Sequence, residues 1–168
     1  MKAILPFVMI VATTLLSACS TVKTNTVKAN SSPASAARPS VSTDANANKL
    51  LVTEFYELAF NRHQPAEAAA KFMAPRYIQH NPAAPDGAET FVTFFESYFQ
   101  THPTAHVQIK RVLADGDLVA VHAHWTRDET DPGSAVVDIL RIENGKIAEH
   151  WDVVQPVPER SFNSNTMF

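Results

Sequence analysis

The pattern of apolar and polar positions is clearest from Ser134 to Gln155, where two mostly apolar runs are split by Glu143-Asn144-Gly145-Lys146. Such runs predict two buried strands, and Asn-Gly predicts a type I′ hairpin turn with positive φ at both central residues. His106 to Leu113 alternates as a strand does. Asp115-Gly116-Asp117 marks a turn, and Leu118 to Thr126 reads as the next strand. That strand has two unlike faces: Val119, Val121, Ala123 and Trp125 on one, Leu118, Ala120, His122 and His124 on the other. Arg127 to Gly133 is a polar loop.

Upstream the period changes to that of a helix. Asp44 to Asn61 carries Leu50, Leu51, Phe55, Leu58 and Ala59 at helical spacing. Gln64 to Met73 is a second, alanine-rich helix with Pro65 near its start, where proline is tolerated. Tyr77 to Pro82 is a short extended piece, and Pro85-Asp86-Gly87 a turn. Ala88 to Gln100 is a third helix with Phe91, Phe94, Phe95 and Phe99 as its apolar stripe. Three helices followed by a four-strand antiparallel meander predict an α+β fold, with the helices gathered on one face of a curved sheet.

Composition narrows the picture. The chain has 168 residues, a formal net charge of -3 and no lysine/arginine cluster, which speaks against a nucleic-acid partner. Ten phenylalanines against four glycines suit a well-filled core. The single cysteine, Cys19, leaves no intramolecular disulfide to form. Around it, Met1-Lys2, the apolar run Ala3 to Leu16 and the box Leu16-Ser17-Ala18-Cys19 resemble a bacterial lipoprotein signal. That resemblance implies cleavage before Cys19, a lipid on its sulfur as membrane anchor and, with Ser20 next, an outer-membrane address facing the periplasm. The serine-, threonine-, alanine- and proline-rich stretch that follows cannot bury enough apolar surface to offset its ordering entropy, and reads as a tether. The expected division is a signal over 1–18, a tether over 19–47 and one folded domain over 48–168.

The candidate chemistry lies on the strands. Asp138 stands among Val136, Val137, Ile139 and Leu140, and an acid there is costly to bury unless paired or facing a cavity. His150 and Asp152 share a face, leaving Trp151 on the other. His122 and His124 likewise point one way, either toward a pocket as acid/base groups or metal ligands, or outward into solvent. From the residues alone Asp138 is as readily an acid held by a structural hydrogen bond as a base; if the domain is an enzyme, the expected chemistry is proton transfer by Asp138 assisted by His124 or His150, without a metal or cofactor.

Tyr77-Ile-Gln-His-Asn-Pro82, Gly116-Asp-Leu-Val-Ala-Val-His-Ala-His124 and Asp138 to Gln155, with the tail Asn163 to Phe168, resemble the SnoaL-like branch of the NTF2-like superfamily. The resemblance implies a cone-shaped α+β barrel closing a deep apolar cavity. It implies Asp138 as the acid/base, as in polyketide cyclases, and Asp152 facing the cavity. It also implies a polar group after the second helix, His80 or Asn81, reaching the ligand, where the two would hold a developing oxyanion. With His122, these make a substrate-binding set of His80, Asn81, His122 and Asp152. Val136 stands where epoxide hydrolases of this superfamily carry an arginine, which argues against epoxide hydrolysis. The implied ligand is a small, mostly apolar, carbonyl-bearing or cyclic molecule. The competing readings are a non-catalytic binding module and a homodimer-forming domain whose cavity is filled by phenylalanine.

Overall fold

The computed structural model of the chain describes residues 44–168. The expectations for the signal, for Cys19 and for nearly all of the tether lie outside the described residues. Helix α1 (Ala45–Tyr56) begins where Asp44 accepts hydrogen bonds from the Asn46 and Ala47 amides, satisfying donors that a helix start leaves free. The folded part therefore starts a few residues ahead of 48. The helix then widens into a π-helical turn, Glu57–Asn61, that buries Leu58, Ala59 and Phe60 in succession. Such wider turns are rare interruptions of regular helices. Leu50, expected in the apolar stripe, is 65% exposed, and Asn48 is buried instead, donating to the Gly116 carbonyl.

Helix α2 (Pro65–Phe72) passes directly into strand β1 (Met73–Gln79), and a loop leads to helix α3 (Ala88–Thr101). Strands β2 (His106–Asp115), β3 (Leu118–Thr126), β4 (Ser134–Glu143) and β5 (Lys146–Pro156) follow as the expected meander. The sheet has five strands in the order β1-β5-β4-β3-β2, with β1 parallel to β5 and the other pairs antiparallel. It is an open, mixed sheet carrying helices on one side, not a closed barrel. The fifth strand corrects the expected helix-then-short-extension reading of 64–82. Pro75 gives no ladder hydrogen bond, which an edge strand tolerates. Asn144 (φ 52) and Gly145 (φ 70) make the β4–β5 turn with both residues left-handed.

Burial alternates along β4, with Val136, Asp138, Leu140 and Ile142 inward while Val137 and Ile139 are exposed. The facing positions on β3 are Val119, Val121 and Ala123, none more than 1% exposed. Phe55, Phe60 and Phe72 complete the core from the helical side. Among the described residues no helix is long and apolar enough to cross a membrane.

Candidate functional site

Register places the acids. Asp138 of β4 pairs directly with Asp152 of β5, and Leu140 pairs with His150. Period-two alternation then sends Asp138, Asp152 and His150 to the same, inward face. Two carboxyl groups directly opposite each other repel when ionised. Their neighbours answer that problem differently. Asp138 is 8% exposed; its Oδ1 lies 2.9 Å from His150 Nε2, and its Oδ2 accepts a short hydrogen bond from the Tyr56 hydroxyl of α1. Asp152 is half-buried and accepts from Asn81 Nδ2 at 2.9 and 2.8 Å, one contact to each oxygen.

The proton inventory follows from the next partners. Gln79 Oε1 accepts from the Asn81 amide at 2.9 Å, so that atom is an acceptor. His150 Nδ1, also 2.9 Å from it, must therefore be the protonated nitrogen. Nε2 then faces Asp138 Oδ1 at hydrogen-bond distance. Burial first, and the Asp138 carboxyl second, push the Tyr56 phenol well above its ordinary value. Burial and the same acid also raise Tyr77. Both hydroxyls thus stay protonated and remain donors.

These groups form the polar floor of a cavity of about 410 Å³. Its walls are aromatic, including Phe55, Phe60, Phe91, Phe95 and Trp125, and Phe94 (59% exposed) and Val154 (52% exposed) also line it. Phe60 packs against Tyr56 and Trp125 with ring centroids 5.0 Å apart in each pair. Among the described residues no lysine or arginine lines the cavity. The phenylalanines build the wall and leave the space open, which corrects the reading of a cavity filled by them.

Asp138, His150 and Asp152 are also the group among the described residues that could hold a metal ion, with one ligand atom from each lying within 4.8 Å of the others. Asp138 and His150 already bond each other at 2.9 Å.

Of the remaining expected residues, Asn81 joins the cavity and the three histidines fall elsewhere. His122 and His124 do not reach the cavity. Val121 is the β3 partner of inward-facing Asp138, so the alternate positions, both histidines among them, point out of the opposite face. There His122 Nδ1 accepts from Arg111, His124 donates to the Pro132 carbonyl, and the Phe168 ring lies 4.3 Å from the His124 ring. His80 also points outward, because Tyr77, Gln79 and Asn81 take the inward positions. It stacks on Trp151 at 4.4 Å and meets Glu149. Asn81 lines the cavity with its side-chain amide committed to Asp152.

Sequence reasoning missed Tyr56 and Gln79. Tyr56 sits beside Phe55 in an apolar stripe and reads as core. Gln79 was findable from the alternation Tyr77, Gln79, Asn81, had that stretch been taken as a strand.

Residues 52–150 match the family model described as a SnoaL-like domain. No curated protein sequence matches the chain. Among solved structures, TsrD from Streptomyces laurentii is 21% identical at a TM-score of 0.55, over 66% of this chain and 90% of its own. A protein from Jannaschia sp. CCS1, provisionally named a SnoaL-like polyketide cyclase, is 20% identical at 0.55, over 66% and 86%. One from Kribbella flavida, provisionally named a ketosteroid isomerase, is 21% identical at 0.58, over 73% and 87%. At these identities the likeness is one of fold.

Proposed function

The chain belongs to the SnoaL-like domain family, and on that premise we propose that its cavity takes a small, mostly apolar, cyclic or carbonyl-bearing molecule and moves a proton on it without a cofactor. The observation that carries this reading is the placement of Asp138. It is buried at the floor of an aromatic cavity, with its oxygens held by Tyr56 and His150. Such an acid is oriented before the substrate arrives, and its surroundings exclude water.

In this reading Asp138 takes a proton from a carbon next to a carbonyl, and the C–H electron pair moves onto the carbonyl oxygen to give an enolate. Returning the proton to another carbon is isomerisation. Attack of the enolate carbon on a second carbonyl, with the proton on Asp138 passed to the new alkoxide, is aldol closure; loss of a hydroxyl from the β-carbon, leaving as water with that proton, is dehydration. His150 Nε2, 2.9 Å from the Asp138 carboxyl, is placed to receive that proton and pass it on. Tyr56 holds the carboxyl in place. Asn81 positions Asp152 rather than an oxyanion, because its amide is already committed.

The second reading is a module that holds the ligand without turnover, favoured by how completely the polar floor is already paired. A thermal-shift screen of cyclic ketones and phenols identifies a ligand, and Asp138→Asn then separates the two. Retained binding with lost turnover supports catalysis; lost affinity with no measurable reaction in either protein supports binding alone.

We also propose attachment to the outer membrane through a lipid on Cys19, on the strength of the Leu16-Ser17-Ala18-Cys19 box. Mass spectrometry of the membrane fraction tests it, and an unmodified Cys19 would refute it.

A further inference from the structure

The two acids on the cavity floor are not equivalent. Asp138 has His150, an ionisable partner, 2.9 Å away. Asp152 has only the neutral amide of Asn81, and among the described residues no cationic side chain is paired with it. A carboxylate in a partly dry site costs free energy unless an opposite charge or several donors meet it. No lysine or arginine among the described residues lines the cavity to supply one. The same cavity is walled by aromatic side chains, packed edge to face at 83° for Tyr56–Phe60 and 78° for Phe55–Phe60. Aromatic faces attract cations through their quadrupole and repel anions. Space, wall and floor thus agree on the sign of charge they accept.

We infer that the cavity is selective for a ring-bearing organic ammonium, whose charged nitrogen pairs with Asp152 and lies against the aromatic wall, and that it rejects carboxylates and phosphates. This rests on the cavity being the ligand site, as proposed above, and names the class of ligand it takes. Asp152 and Asn81 then read the ligand's charge, while Asp138 and His150 stay free for proton transfer. The division explains why Asn81 holds both oxygens of Asp152 with one amide: the carboxylate keeps lone pairs directed away from Asn81, available to a donor.

The test uses three probes on one two-ring skeleton, 2-naphthylmethylammonium, 2-naphthylmethanol and 2-naphthoate. Each is titrated calorimetrically into the purified, EDTA-treated protein at low salt near neutral pH. The ammonium is expected to bind about tenfold or more tighter than the alcohol, since it adds a charge-assisted hydrogen bond and a cation–π contact. The naphthoate is expected to bind more weakly than the alcohol. Asp152→Asn is expected to bring the ammonium down to the level of the alcohol. An unchanged circular-dichroism spectrum and a cooperative thermal transition show that the variant is folded.

Naphthoate binding as tightly as the alcohol overturns the inference, as does an ammonium with no advantage or one whose advantage survives Asp152→Asn. In those cases the bound alcohol still supports a ligand cavity. If none of the three binds, the ligand reading of the cavity falls as well.

Discussion

Tyr56→Phe removes one oxygen and keeps the ring. The ring contacts with Phe55 (6.1 Å) and Phe60 (5.0 Å) remain, so no void opens in the core. What disappears is the donor to Asp138 Oδ2, an oxygen of a side chain 8% exposed and out of easy reach of water. A hydrogen bond to a charged group contributes about 1.5–3 kcal/mol, and stranding a buried acceptor adds to the loss. The expected destabilisation is therefore about 2 kcal/mol. At about 3–5 °C per kcal/mol for a domain of this size, Tm should fall by roughly 6–10 °C. Urea unfolding followed by circular dichroism measures this, with a lower midpoint at unchanged slope as the signature. The same substitution in an Asp138→Asn background should cost about half as much, because the bond lost there is between neutral groups. A loss under about 0.5 kcal/mol in the wild-type background, or an equal cost in both backgrounds, would refute the account of how Asp138 is held.

Further outcomes follow from the same geometry. Tyr56 and Tyr77 both have raised folded-state values, so the stability they contribute is complete below about pH 10 and is lost as pH rises through their folded values. Each should add a slope of about -1.4 kcal/mol per pH unit above about pH 10, read as a difference in alkaline denaturation between wild type and the corresponding phenylalanine variants. Gly133→Ala would put a Cβ 2.3 Å from the Trp125 carbonyl oxygen and 2.7 Å from His124 Nε2 at φ +77. It should destabilise by more than about 2 kcal/mol in thermal denaturation. In ¹⁵N spectra of the imidazoles, His150 should carry its proton on Nδ1, and Gln79→Leu should let the other tautomer grow; a wild-type Nδ1 without a proton contradicts the inventory derived from Gln79 and Asn81.

Much of this molecule is legible in its sequence where the signals are local. The β4–β5 hairpin follows from Asn144-Gly145 between apolar runs, and the common face of His150 and Asp152 follows from period two alone. The failures are non-local. Strand β1 escapes because Pro75 and Arg76 break its alternation and because its partner, β5, lies far along the chain and runs parallel. The π-helical turn answers the need to bury Leu58, Ala59 and Phe60 together, a demand set by what packs on them.

His122 and His124 are the instructive case. Alternation puts them on one face of β3 but does not say which face is covered. The antiparallel register does, because it sets Asp138 opposite Val121. An inward Asp138 and inward histidines at 122 and 124 exclude each other, and the buried valines decide between them. Tyr56 was illegible for a different reason: an aromatic in a helical stripe looks the same whether its hydroxyl meets an acid or nothing.

The decisive experiment follows histidine ring resonances while the protein is titrated with 2-naphthylmethanol. His150, on the cavity floor, is expected to shift with ligand, while His122 and His124, on the far face of the sheet, stay where they are. Shifts at His122 and His124 with His150 unmoved would put the site on the other side of the sheet and contradict the account.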